Sequence, residues 1–170
     1  EQSLLDRLVA QGDSGKAGAT PIFLPYLSGE RTPHNDPSAQ GVFFGMTHET
    51  DTLDLAQSVL EGVAFALADG QDGLIASGTQ INELSAIGGG ARSAYWVQLI
   101  ADTLGQTLHL RASGEVGPAF GAARLARLAV TKEAVGDVCT PPEIESTLTP
   151  NAENHERLKA RRGLYQQLYQ

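Results

Sequence analysis

The fold of this chain is constrained most by two short apolar runs. Each run leads into glycines and then into a helical pattern. The first run, residues 83–87, enters a glycine triplet and is followed by a helical pattern from about residue 93 to 104. The second, residues 107–111, enters a Gly-rich turn, after which a third helix begins near Pro118. Because strands and helices alternate in this order, the sequence predicts an α/β layered fold with a sheet.

The glycine triplet Gly88, Gly89 and Gly90 is the first candidate site. Glycines let a backbone approach a ligand closely, and a following helix presents free N–H groups. Ligands of open α/β sheets bind beyond the carboxyl ends of the strands. The letters GGGARS match neither the dinucleotide-binding G-x-G-x-x-G pattern nor a phosphate-binding loop with its lysine. A ligand site and a tight strand-to-helix turn therefore both remain open.

The second Gly-rich turn carries a similar pair of alternatives. Gly114 and Gly117 stand between a predicted strand and a predicted helix whose first residues are small. Either this turn contacts a ligand, or the small residues allow another backbone to pack closely.

The longest helical segment is predicted from Thr52 to Ser77. Asp51 is placed to cap its first turn, and Gly78 to end it. Apolar residues at i+4 steps share one face of this helix: Leu55, Val59, Val63 and Leu67. Before the helix, GVFFG at residues 41–45 predicts a short buried strand.

The C-terminal part is predicted as a loose connection over residues 131–150 and a last helix from about Glu153. Four side chains are suited to dock this helix: Leu158, Tyr165, Leu168 and Tyr169. The helix also carries a basic run: Arg157, Lys159, Arg161 and Arg162. Such a run favours a solvated helix face over a binding patch.

A polar turn region at residues 29–37, GERTPHNDP, is another candidate. It concentrates four side chains: Glu30, Arg31, His34 and Asp36. Two interpretations stay open, a loop that orients a polyol or phosphate and a loop held by its own salt bridges and turns.

Charge and cysteine content exclude several classes. The 170 residues carry a net charge of −8, which argues against binding to nucleic acids or anionic membranes. Cys139 is the only cysteine, so an internal disulfide is excluded and a reducing, cytoplasmic setting is expected. The first residues begin in a helical pattern without an initiator methionine or a signal-peptide pattern. We therefore expect a part of a longer polypeptide.

Residues 41–61 resemble the second signature of the FGGY carbohydrate kinases. Its constrained positions fall on Gly41, Phe43, Gly45, Met46, Asp54, Leu55, Ser58, Val59, Leu60 and Glu61. The segments FLPYLSGERTPHNDP and IGGGARSAYW look most like the branch of this family that phosphorylates D-xylulose. The resemblance extends from Phe23 to about Ala129, and more loosely to the terminal helix.

The resemblance implies the second of two actin-like, ribonuclease-H-like domains, with ATP and sugar in the cleft between them. Residues 1–170 would be a fragment of this domain that lacks its first strands: 1–20 a linker and helix tail, 21–131 the core, and 132–170 the connection and terminal helix. Gly88, Gly89 and Gly90 would form the adenosine-side turn, and Gly89, Gly90 and Ser93 match positions that contact ATP. Residues 115–123 look like the helix that connects the two domains.

No segment of these residues resembles the part of the family that carries its catalytic aspartate. The same holds for the family's phosphate loops and its magnesium-binding carboxylates. The resemblance therefore implies no catalytic residue and no metal ligand here. ATP and Mg²⁺ are expected as cofactors of the intact enzyme, with a missing N-terminal domain as partner. Without its first strands the sheet would expose an edge and apolar surface. We therefore expect the fragment to be marginally stable alone or to form a homodimer. The alternatives are a relative that acts on gluconate, ribulose or glycerol, and a non-catalytic actin-like binding module.

Overall fold

The computed structural model of the chain describes residues 3–11, 20–114 and 117–169. The helices in these ranges are α1 (Leu4–Gln11), α2 (Thr52–Ala76), α3 (Ala94–Leu104), α4 (Gly117–Thr131), α5 (Val135–Val138) and α6 (Ala152–Tyr169). The strands are β1 (Ile22–Leu24), β2 (Val42–Phe44), β3 (Leu84–Ala86), β4 (Leu108–Arg111) and β5 (Ile144–Leu148). The predicted α/β class is confirmed. Among the described helices, none has the length and apolar character to span a membrane.

The two strand–glycine–helix units build the larger sheet, which has the strand order β3-β4-β5. β3 and β4 lie parallel, with Leu84 opposite Leu108, so both glycine turns follow strands that end at the same edge. β5 pairs antiparallel with β4 and falls in the segment that was predicted to be a loose connection. That prediction was wrong because four of its five residues are exposed, which leaves no apolar alternation to detect.

The smaller sheet pairs β1 with β2 in antiparallel register, Ile22 opposite Phe44. β1 is buried along its length, whereas all three residues of β2 are exposed. The prediction of a buried strand at 41–45 was therefore right about the strand and wrong about its burial. The two sheet strands differ because β1 packs on α2 and α6, while β2 forms an outer layer in which Phe43 stacks on Phe23.

Helix α2 begins and ends as its sequence predicts. Asp51 accepts hydrogen bonds from the N–H groups of Leu53 and Asp54, and the Asp54 carboxylate accepts one from the Asp51 N–H, which completes a capping box. Ser77 caps the other end, and Gly78 follows with φ at +91°, a backbone conformation that favours glycine.

The buried face of α2 is not its predicted apolar face. Val59, Val63 and Leu67 are 36%, 36% and 48% exposed. The buried positions form a more polar set: Asp54, Ser58, Glu61, Gly62, Ala64, Phe65, Ala68 and Asp69. The face that packs on the rest of the domain therefore carries three carboxylates.

Arginines of α6 explain this inversion. Arg161 Nε lies 2.7 Å from Glu61 Oε2, and Arg162 Nη2 lies 2.5 Å from Asp69 Oδ1. Both carboxylates are less than 5% exposed, and a charge buried to that degree needs a paired partner. The solvated-face interpretation of the basic run was wrong for these arginines, whereas Lys159 is exposed as expected.

The terminal helix completes the main core, as its aromatic residues predicted. The core cluster comprises Ile22, Leu24, Tyr26, Phe65, Leu99, Leu158 and Tyr165. Within it the hydroxyl oxygens of Tyr26 and Tyr165 lie 2.7 Å apart and share a hydrogen bond. Burial raises the pKa of both phenols above their ordinary value.

Gly62 on α2 predicts a steric test of this packing. A Cβ at Gly62 would lie 2.3 Å from the carbonyl oxygen of Phe23 on β1. Gly62→Ala is expected to destabilise the fold by about 1–3 kcal/mol. The control is Gly163→Ala in α6, where a Cβ would meet no described heavy atom within 4 Å, and which should stabilise by about 0.5–1 kcal/mol. Urea unfolding measures both changes; equal effects of the two substitutions would contradict the packing.

The tyrosine pair predicts an alkaline loss of stability. Unfolded tyrosines ionise near pH ~10, whereas burial keeps Tyr26 and Tyr165 protonated to higher pH. Above that pH the unfolded state binds fewer protons than the folded state, so stability is full below it and falls as pH rises. Replacing both tyrosines by phenylalanine should flatten this slope. Urea midpoints from pH 8 to 11 measure it, and an unchanged slope in the double variant would refute the assignment.

Candidate functional site

The two glycine turns meet at one edge of the larger sheet. Gly88 lies two residues after the end of β3. Its N–H donates a hydrogen bond of 2.9 Å to the carbonyl of Gly114, which follows β4. Gly88 has φ at +90°, which a residue with a side chain adopts only under strain. The hydrogen bond therefore joins both turns at the carboxyl ends of parallel strands, where α/β sheets bind ligands.

The three glycines of the triplet have different surroundings. A Cβ at Gly88 or Gly89 would meet no heavy atom of the described residues within 4 Å. A Cβ at Gly90 would instead lie 3.2 Å from the indole of Trp96. Gly90 thus serves packing, while Gly88 and Gly89 leave bare backbone facing open space. The triplet is both a tight turn and an accessible wall.

Ser93 links this wall to helix α3. Gly89–Arg92 form one 3₁₀ turn, and Ser93 then caps α3 by accepting a hydrogen bond from the Trp96 N–H at 3.3 Å. This bond uses an oxygen lone pair and leaves the hydroxyl proton of Ser93 available to a ligand. All four sequence-predicted site residues therefore lie on the short connection between β3 and α3.

The second turn favours the packing alternative. A Cβ at Gly117, the first residue of α4, would lie 3.1 Å from Cδ1 of Ile87. The predicted connecting helix spans residues 115–123, of which Glu115 and Val116 lie outside the described residues. No residue of α4 is buried, and among the described elements the helix contacts α5.

Two cavities flank the glycine triplet. A cleft of about 940 Å³ is bordered by Gly89, Gly90, Ser93, Tyr95 and residues of α1. An apolar groove of about 640 Å³ lies on the other side, between α2, α3 and β3. Its lining includes Leu67, Leu74, Leu84, Ile87, Trp96 and Ile100. Gly90 and Trp96 border both cavities and so separate them.

The chemistry of these walls is that of a binding surface. The cleft offers backbone groups, the hydroxyls of Ser3, Ser93 and Tyr95, the carboxylate of Asp6 and the guanidinium of Arg92. Within residues 3–11, 20–114 and 117–169, no group of three His, Cys, Asp or Glu side chains is arranged to hold a metal ion. The described cleft combines polar groups with apolar side chains such as Leu5 and Val9, a composition typical of small-molecule sites.

The polar turn at residues 29–37 is held by its own contacts. The Glu30 carboxylate accepts a hydrogen bond from the His34 N–H at 2.8 Å. The imidazole of His34 stacks on Tyr169 of α6 at 3.6 Å, and the Tyr169 hydroxyl donates to Asp36. This geometry favours the structural interpretation of the cluster, through hydrogen bonds and stacking rather than salt bridges.

Comparison with known proteins agrees with this architecture. The sequence model of the FGGY family of carbohydrate kinases, C-terminal domain, matches residues 3–130. The chain is 47% identical to the xylulose kinase of Escherichia coli K12 over 96% of its length, and 53% identical to that of Klebsiella pneumoniae over 75%. It superposes on a crystal structure titled "xyloylose kinase" from Brucella ovis with a TM-score of 0.83 and 44% identity over 97% of its length.

These relatives are much longer proteins. The chain spans 34% of the E. coli enzyme, 26% of the Klebsiella enzyme and 34% of the Brucella chain. The likeness confirms the predicted actin-like, ribonuclease-H-like fold. With three quarters of its residues matched by the family's C-terminal domain, the chain belongs to the FGGY family of carbohydrate kinases.

Proposed function

We propose that this chain is the nucleotide-binding C-terminal part of a xylulokinase. The complete enzyme would transfer the γ-phosphate of ATP to the 5-hydroxyl of D-xylulose, with Mg²⁺. The choice of sugar is supported by the xylulose kinases among its relatives. The observation that carries the nucleotide role is the bare backbone of Gly88 and Gly89 at the joined carboxyl ends of β3 and β4.

In this proposal the glycine turn forms the adenosine side of the cleft. Gly88 and Gly89 would offer open backbone to the nucleoside, Gly90 would complete the turn against Trp96, and Ser93 has a hydroxyl proton to donate. When bound, ATP supplies the phosphoryl group, whose transfer depends on positioning and on neutralisation of charge. Among the described residues no three His, Cys, Asp or Glu side chains are grouped to hold a metal ion, and we propose that the metal ligands and the catalytic base lie in polypeptide outside this chain.

The remaining polypeptide would also complete the sheet. The second edge of β3 pairs with no other described strand, and the apolar groove runs beside it. In that groove the Oε1 atom of Gln71 is buried without a hydrogen-bond partner among the described residues. An added strand would pair the edge, cover the groove and supply an N–H donor to Gln71. A second copy of the chain on this surface, a homodimer, is the competing occupant.

Two other functions remain as alternatives. Another sugar, such as gluconate, ribulose or glycerol, is compatible with the same nucleotide wall because most sugar contacts are expected from the other domain. A non-catalytic actin-like binding module would keep the fold without the base. A cytoplasmic location, where ATP is available and Cys139 stays reduced, is part of the proposal.

Gly89 predicts a direct test of the nucleotide wall. Gly89→Val in the full-length enzyme would place a branched side chain where the backbone now faces open space. The expected result is a rise of about tenfold or more in the KM for ATP, roughly 1.4 kcal/mol of lost binding, with unfolding unchanged. The control is Gly136→Val in α5, which also faces open space among the described residues. Equal ATP KM values in both variants would argue against the assigned wall.

Because the proposal assigns the catalytic base to other polypeptide, it predicts that the 170 residues alone do not phosphorylate sugar. The catalytic base and the magnesium ligands would be missing, whereas the full-length polypeptide should convert D-xylulose to its 5-phosphate. A coupled ADP-release assay on both lengths, with D-xylulose, ribulose, gluconate and glycerol, measures this. Activity of the short chain would refute this assignment, and a higher kcat/KM with another sugar would replace D-xylulose. Inactivity of the full-length protein on all four would favour a binding module.

A further inference from the structure

A line of polar contacts leads from the first turn of α3 across α2. Tyr95 Oη donates a hydrogen bond to Gln57 Oε1 at 2.5 Å, and Gln57 Nε2 donates to Glu61 Oε1 at 3.1 Å. Tyr95 and Gln57 are both partly buried, and the carboxylate of Glu61 is 2% exposed. The tyrosine hydroxyl is thereby tied to a buried charge through a single amide.

The same line continues into α6 and the start of β1. Glu61 Oε2 accepts from Arg161 Nε at 2.7 Å, and Arg161 Nη2 donates to the carbonyls of Thr20 and Pro21 at 3.0 and 3.3 Å. Hydrogen bonds to ionised groups are stronger than neutral ones, and bonds in a network polarise one another. The Gln57 amide is therefore held in place by a rigid, charged anchor.

The α3 end of this line lies at the candidate nucleotide site. Tyr95 is in the first turn of α3, two residues after Ser93, and borders the same cleft as Gly89 and Gly90. Within the glycine turn, the Ala91 and Ser93 N–H groups donate to the carbonyls of Gly88 and Gly90; to the rest of the described residues it is joined by the Gly88 hydrogen bond and by the Trp96 indole against Gly90. The orientation of the turn thus follows from where the first turn of α3 is fixed.

We propose that Tyr95 and Gln57 are positioning residues for the nucleotide turn. They hold the first turn of α3 against α2, so that the backbone of Gly89 and the hydroxyl of Ser93 keep the orientation that a bound adenosine moiety needs. This inference rests on the proposed function. Neither residue supplies a group to the transferred phosphate; both act through the turn.

Kinetics of the full-length enzyme test this role. Tyr95→Phe should raise the KM for ATP about fivefold, equivalent to roughly 1 kcal/mol, with kcat and the KM for D-xylulose unchanged. The matched control is Tyr169→Phe, which removes the same atom from a hydrogen bond to Asp36 on the polar turn. It should leave the KM for ATP unchanged. A purely structural tie would lower the amount of active enzyme, and so kcat, without moving the KM for ATP.

A double-mutant cycle gives a second, independent test. Gln57→Leu alone should raise the KM for ATP as Tyr95→Phe does, and the double variant should be no worse than either. If Tyr95→Phe does not fold, Gln57→Leu carries the test. An unchanged KM for ATP in an active variant, or additive effects, would overturn the inference alone. A wild-type enzyme that phosphorylates no sugar would remove the proposed function and this inference together.

Discussion

The ion pair between Glu61 and Arg161 is the interaction on which the rest of the structure depends. Glu61 is nearly inaccessible to water, and an unpaired carboxylate in such a place would cost several kcal/mol. Arg161 neutralises it and also binds two carbonyls just before β1, while Arg157 lies 3.7 Å from the same carboxylate. Removing one partner of a buried pair costs about 3–5 kcal/mol, so α2, α6 and β1 depend on one another.

This interaction gives a physical reason for part of the family signature. Ser58 is fully buried and donates its hydroxyl proton to the Leu55 carbonyl, which lets a small polar residue sit inside without loss. Glu61 supplies the buried charge, and the following Gly62 leaves room for the Phe23 carbonyl. In this chain the second half of the signature encodes the packing of α2 on β1 and α6. Its link to the proposed nucleotide site would be indirect, through Gln57 and the first turn of α3.

Local signals in the sequence were sufficient for the elements and for the glycine turn. Caps, glycines and alternation are decided by neighbours in the chain, so Asp51, Gly78 and the strand before Gly88 were predicted correctly. The burial of α2 was not, because periodicity treats charges as solvated, and the partner of Glu61 lies 100 residues away. Tyr95 and Gln57 were missed for the same reason. The roles of Gly88, Gly89, Gly90 and Ser93 came from resemblance, and their contacts with ATP stay predictions.

The two faces of α2 have different consequences for the molecule. Its polar face packs inside the domain, and each of its three buried carboxylates accepts a hydrogen bond there. Its apolar face, with Val63 and Leu67, is partly exposed. Leu67 lines the groove, and among the described residues the Gln71 amide oxygen in that groove has no hydrogen-bond partner. Burying that face would stabilise by roughly 25 cal/mol for each Å² covered. The charged face therefore gives the domain its specific internal packing, and under the proposed function the apolar face is the surface on which further polypeptide would pack. Under the proposed function, covering the groove would also enclose one side of Gly90 and Trp96, the two residues that separate the groove from the cleft.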